Sequence, residues 1–213
     1  MKAILFPGQG AQKLGMAKDF YDRFNAAREV FEIASESTKL DIAKLVFEEE
    51  DKINLTEYTQ VALVTAELAI YQTLKAKGII NEGFADVSCG LSLGEYSALS
   101  ISGAMSIYDA TMLVRKRGIF MQEAVPEGQG AMAAVLGLTG ERICELVSEL
   151  EGVWVANYNT DEQTVITGYK EGVLKAADVL KTAGAKRVVP LVVSGPFHSP
   201  LMEPARTELA EGI

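Results

Sequence analysis

From Ala131 onward the chain alternates between strand and helix periods in a fixed order, and that order limits the fold more than any other feature of the sequence. Apolar, β-branched runs mark strands over Ala131 to Leu136, Val153 to Asn157, Gln163 to Gly168 and Lys186 to Leu191. Three-to-four-residue apolar spacing marks helices over Gly140 to Glu149 and Lys170 to Ala183. The resulting βαββαβ order matches a split βαβ, ferredoxin-like unit, a small sheet with two helices on one face. This small lobe is expected over 127–195.

The residues before it read differently. Lys2 to Phe6 predicts a strand, and Pro7 to Gly15 a Gly-rich loop. Asn25 is expected to cap a helix through Thr38, and Val61, Val64, Leu68 and Tyr71 repeat at helical spacing in a long helix ended by Gly78. Glu48-Glu49-Glu50-Asp51 reads as a solvated loop. Ser106-Ile107-Tyr108-Asp109 has capping-box form and opens a helix to roughly Ala124, where Pro126 and Gly128 stop it. The expected architecture is α/β: a large lobe with a parallel sheet, from 1–126 and 196–213, with the ferredoxin-like lobe inserted. An insertion of this kind implies a cleft, where substrates usually bind.

Composition excludes several classes of function. At 213 residues and 48% hydrophobic content the chain can bury a core. No apolar run approaches membrane-spanning length, and Pro7 turns the N-terminus too soon for a signal peptide, so no membrane role and a cytoplasmic location are expected. A net charge of −9 argues against nucleic acid as partner. Cys89 and Cys144 lack metal-ligand or disulfide spacing; no metal is expected, and both read as buried small hydrophobes.

The chemistry concentrates at Gly90-Leu91-Ser92-Leu93-Gly94. A serine hydroxyl needs an adjacent base, and the chain has one histidine, His198. In a GxSxG turn between strand and helix the serine is held in a strained conformation, and the glycines let the two elements pass closely. The N–H of Leu93 then points into the same space and can stabilise an oxyanion.

Four separated segments extend this pattern: Phe6-Pro7-Gly8-Gln9-Gly10-Ala11-Gln12, the serine turn through Leu99, Arg117-Gly118 with Met121-Gln122, and Gly195-Pro196-Phe197-His198-Ser199-Pro200-Leu201-Met202. In order and spacing they resemble the malonyl-CoA:acyl carrier protein transacylases of fatty acid synthesis. The resemblance implies a hydrolase-like large lobe and ping-pong acyl transfer through a Ser92 ester, with His198 as general base and acid. It implies an oxyanion hole from the Leu93 and Gln9 N–H groups, Arg117 on the malonyl carboxylate, and Phe197 crowding out an α-methyl branch. Malonyl-CoA is then the substrate, acyl carrier protein the partner, and no cofactor is required. Gln60 matches near the pocket; Asn157 and Asn159 also match but suit an ordinary turn. Leu91 departs from the family, where histidine is frequent. The family also continues beyond the position of Ile213, through a stretch whose backbone carbonyl orients the histidine, so residues 1–213 alone are expected to be poorly active and to expose apolar surface.

Two readings of other kinds stand beside this one. A serine hydrolase or thioesterase needs an acid, for which Asp109, Asp161 and Asp178 are available. A non-catalytic binder of the acidic acyl carrier protein needs a basic patch, for which Lys181, Lys186 and Arg187 are candidates.

Overall fold

The computed structural model describes residues 1–126, 128–191, 193 and 195–211. The expected lobe start at 127 and the chain end at Ile213 lie outside the described residues. The chain divides into two compact units, Met1–Ile119 and Phe120–Ile213.

In the first unit β1 (Ala3–Phe6) is followed by five helices: α1 (Lys18–Arg23), α2 (Asn25–Thr38), α3 (Ile42–Glu48), α4 (Glu50–Ile53) and α5 (Thr56–Ala76). The chain then forms β2 (Val87–Gly90), α6 (Gly94–Ile101) and α7 (Ile107–Glu123), the last crossing the division between units. β1 and β2 pair in parallel, from Ala3 opposite Val87 to Phe6 opposite Gly90. Parallel pairing requires a crossover, and α1 to α5 supply it.

α5 explains the core. Val61, Ala62, Val64, Leu68 and Ala69 are each fully buried, so the helix is apolar nearly all round and runs through the interior. Phe31 of α2, with Ile42, Leu45 and Val46 of α3, pack into the same cluster.

Three expectations are corrected here. Asn25 is the first helical residue rather than the cap: extended Phe24 precedes it, and Asn25 Oδ1 accepts from Arg28 Nη2 instead of a backbone N–H. The acidic run is helical at both ends, closing α3 at Glu48 and opening α4 at Glu50 and Asp51. Acids in a first turn favour the helix dipole, and buried Ile53 anchors the short helix. Both cysteines are exposed. Cys89 shares a sheet face with Ala3, Leu5 and Val87, all exposed, while α6 packs on the other face, where Ser88 Oγ donates to the Ala98 carbonyl at 3.2 Å. Cys144 lies off the buried face of its helix, which carries Ile143 and Val147.

The second unit contains β3 (Gly130–Leu136), α8 (Gly140–Ser148), β4 (Val153–Thr160), β5 (Gln163–Tyr169), α9 (Lys170–Thr182), β6 (Arg187–Pro190) and α10 (Glu203–Glu211). The four strands pair antiparallel in the order β4-β5-β3-β6, the ferredoxin-like arrangement expected from the sequence. α8 and α9 cover one face through Val135, Ile143, Val147, Ile166, Val173 and Leu180. By the two-residue alternation of strands, Met132 and Val165 emerge on the other face, against Phe197.

One buried acid sits in the first unit's core. Glu67 of α5 is 8% exposed; its Oε2 accepts from Ser97 Oγ of α6 at 2.5 Å, and its Oε1 has no hydrogen-bond partner among the described residues. Burial pushes the carboxyl up to about 7, with the Ser97 hydrogen bond pulling the other way. The folded state therefore keeps a proton that the unfolded chain releases. Glu67's contribution to stability is full below the ordinary carboxylate value of 4.5 and is lost as pH rises through about 7. Glu67→Gln is expected to remove this dependence, gaining on the order of 3 kcal/mol relative to the parent between about pH 4.5 and about pH 8. Denaturant melts at the two pH values check it; a pH-independent difference would exclude a raised Glu67.

Candidate active site

Ser92 lies between β2 and α6 with φ 52°, a left-handed conformation strained for a residue with a side chain. Its neighbours make that turn possible. A Cβ on Gly90 would stand 1.9 Å from the Gly94 carbonyl carbon, and one on Gly94 would stand 2.5 Å from the Phe6 carbonyl oxygen. The turn is bonded on both sides: Leu91 N donates to the Phe6 carbonyl at 3.1 Å, and Gly94 N donates to the Leu91 carbonyl at 3.0 Å. Leu93 is buried at the N-terminus of α6, where backbone N–H groups lack intrahelical acceptors. Leu91, the residue before the serine, is exposed.

The loop after β1 lies against this turn. A Cβ on Gly8 would come within 2.7 Å of the Leu91 carbonyl oxygen, so Gly8 permits the approach. Gln9 is held through its side chain, Nε2 donating to Thr56 Oγ1 at 3.1 Å, and Gly10 N donates to Gln12 Oε1 at 2.7 Å. Thr56 is fully buried in the first turn of α5.

Arg117 reaches the serine from α7. Its Nη2 donates to Ser92 Oγ at 3.0 Å and its Nη1 to Gln60 Oε1 at 2.6 Å, while the guanidinium lies 5.9 Å from the centre of the Tyr96 ring. Burial pulls the guanidinium below its ordinary value, opposed by Tyr96 and then Glu95. Gly118 fixes this approach, since a Cβ there would meet Glu57 Cα at 2.8 Å and the Thr56 carbonyl at 2.9 Å.

Arg115-Lys116-Arg117 reads from sequence alone as a solvated basic face. Arg115 instead pairs with Glu57 at 2.8 Å, donates to the Glu57 carbonyl at 2.6 Å and lies 4.5 Å from the Tyr58 ring centre.

The structure thus brings together Ser92, Leu93 and Arg117, with Gln9 tied to the same end of α5. Sequence reasoning missed Tyr96 and Thr56 as parts of this cluster. The available signal was Gln60, a polar residue on an apolar helix that is fully buried.

Phe197 and His198 belong to the second unit. Phe197 is 5% exposed and packs with Met132 and Val165. His198 is exposed with φ 57°, in the turn before a short 3-10 helix, Pro200–Met202. Ser199 Oγ braces that turn, donating to the Pro196 carbonyl at 2.6 Å and accepting from Leu201 N at 3.3 Å. Two of the candidate hydrolase acids have structural partners: Asp109 takes part in the Ser106 cap, and Asp178 lies 3.8 Å from Lys181. Asn159 Nδ2 donates to Gln163 Oε1 at 3.0 Å, across the β4–β5 turn.

A serine on a glycine-flanked turn between strand and helix, with a cation on its hydroxyl, suits acyl transfer, and residues 4–213 match the acyl transferase domain; the chain belongs to that family. Within it, the chain is 46% identical over 214 residues to malonyl CoA-acyl carrier protein transacylase of Bacillus subtilis (strain 168), covering 98% of this chain and 66% of that protein. The crystal structure of malonyl CoA-acyl carrier protein transacylase from Clostridium perfringens superposes with a TM-score of 0.91 at 44% identity, over 98% of this chain and 66% of that one. A chain from the complex of a type II PKS acyl-carrier protein with its malonyl-transacylase gives 0.92 at 43% identity, over 99% of this chain and 70% of that one. The chain spans about two thirds of the length of the curated relatives it matches. No described helix is long and apolar enough to cross a membrane.

Proposed function

We propose that this chain carries the nucleophile, base and specificity residues of a malonyl-CoA:acyl carrier protein transacylase. The observation that supports it best is the Arg117 guanidinium on Ser92 Oγ at 3.0 Å, which sets a cation for a free carboxylate beside a nucleophile for a thioester. Ser92 Oγ attacks the malonyl thioester carbon while His198 takes the hydroxyl proton. The Leu93 and Gln9 N–H groups receive the oxyanion, and collapse expels the coenzyme A thiolate, which takes the proton from His198. The phosphopantetheine thiol of acyl carrier protein then attacks the Ser92 ester by the same steps in reverse. Every reacting group is a protein or substrate atom, so the reaction requires no cofactor.

In the whole protein, 1–126 and 196–213 are assigned to the large lobe and 127–195 to the small one, in the cytoplasm. Acyl carrier protein is acidic and docks on Lys181, Lys186 and Arg187. The ion pairs of Lys181 with Asp178 at 3.8 Å and Lys186 with Glu162 at 3.7 Å are exposed and weak enough to exchange.

Incubation of the C-terminally extended protein with malonyl-CoA is expected to add one malonyl ester, and none to its Ser92→Ala variant, by mass spectrometry, with residues 1–213 alone acylating poorly. Subsequent transfer to holo acyl carrier protein should exceed release of malonate to water. A chain that forms no ester, or that loses it mainly to water, is not this transacylase.

Phe197→Ser is expected to raise acceptance of methylmalonyl-CoA relative to malonyl-CoA, at a stability cost of about 3 kcal/mol for a truncated core aromatic. An unchanged ratio in competition assays would remove Phe197 from the specificity set.

A further inference from the structure

Arg117 does more in the unloaded site than wait for a carboxylate. Its Nη2 donates to the oxygen that has to attack, and Gln60, fully buried, holds the other nitrogen at 2.6 Å. No described ion pair includes this guanidinium: Glu57 pairs with Arg115 instead, and Glu95 acts on Arg117 only at longer range. A partly buried guanidinium bonded to a neutral hydroxyl and a neutral amide exchanges readily toward a carboxylate, which accepts two parallel N–H bonds with full charge.

We propose that Arg117 is a latch on Ser92: in the empty site it occupies the serine oxygen, and an acyl group bearing a free carboxylate draws it away and frees the nucleophile. This rests on Ser92 being the nucleophile and deepens the reading of Arg117. The lone pair that accepts from Nη2 is withheld from a thioester carbonyl until that bond breaks. Malonyl carries the releasing group within itself; acetyl does not. Selectivity then arises twice from one residue, by attraction of the dicarboxylic acyl group and by occupation of the serine against acyl groups that lack the second carboxylate.

A neutral alkyl fluorophosphonate tests this, because it reports serine reactivity without using the carboxylate site. In that reaction the Ser92 O–P bond forms, the P–F bond breaks, fluoride leaves and the hydroxyl proton passes to the base. Labelling of Ser92, followed by mass spectrometry, is expected to be about tenfold faster in Arg117→Ala than in the parent, the equivalent of one charge-assisted hydrogen bond. The parent supplies a second test that needs no variant. Acetate ion, too short to fill the acyl site, is expected to accelerate labelling several-fold over chloride at equal ionic strength, and to do nothing for Arg117→Ala. Equal or slower labelling of Arg117→Ala, or no acetate effect in the parent, overturns the latch while leaving Ser92 as nucleophile. Absence of any Ser92 label in parent and variant alike overturns the nucleophile reading and the latch with it.

Discussion

Arg117→Ala is expected to lower kcat/KM for malonyl-CoA by roughly 100- to 1,000-fold, the equivalent of two charge-assisted hydrogen bonds to a carboxylate, while acetyl-CoA turnover holds or rises. The size follows from the setting. The guanidinium is partly buried, fixed by Gln60 and faced by Tyr96, so its bond to a substrate carboxylate forms with less competition from water than at an open surface. Lysine in its place keeps the charge but loses the planar fork, and Arg117→Lys is expected to recover only part of the loss. Parallel kcat/KM measurements with malonyl-CoA and acetyl-CoA decide the matter. An equal fall for both acyl groups would assign Arg117 to holding the serine turn rather than to choosing the substrate.

The largest effect on stability is expected at Gly90. A methyl there would lie 1.9 Å from the Gly94 carbonyl carbon, 2.1 Å from Glu95 N and 2.2 Å from the Gly94 oxygen, all backbone atoms that cannot rotate away. Relief requires β2 and α6 to separate, which breaks the turn holding Ser92 and the burial of Leu93. Gly90→Ala is therefore expected to cost more than about 4 kcal/mol and to abolish Ser92 acylation. Gly83→Ala is the control. Gly83 has φ +78° but nothing within 4 Å of a new Cβ, so only backbone strain of about 1 kcal/mol is expected. Denaturant titration of the two variants separates packing from conformation; a Gly90→Ala protein as stable as Gly83→Ala would refute the close approach.

Most of the second unit was legible because its short strands are bounded by glycines and its helices carry clean apolar spacing. Ile143 with Val147, and Val173 with Ala176 and Leu180, lie at helical intervals that the sequence displays directly. The serine turn was legible for a related reason, since Gly90 and Gly94 are demanded by local backbone geometry. Face and partner were not. Cys89 and Ile4 are equally strand-like, and only the side on which α6 packs sends one outward. Arg115 and Arg117 stand two residues apart on α7, and nothing local says that one meets Glu57 while the other meets Gln60. Asn25 failed as a cap because Arg28, one turn along, takes its side-chain oxygen.

The two cysteines expected inside stand outside, one in each unit: Cys89 on β2, three residues before Ser92, and Cys144 on α8. The protein thereby carries a native pair of attachment points for thiol-reactive dyes or spin labels, with no residue to engineer. A label on each would report on its own unit through the acylation cycle, Cys89 from the strand that leads into the serine turn and Cys144 from a helix of the four-stranded sheet.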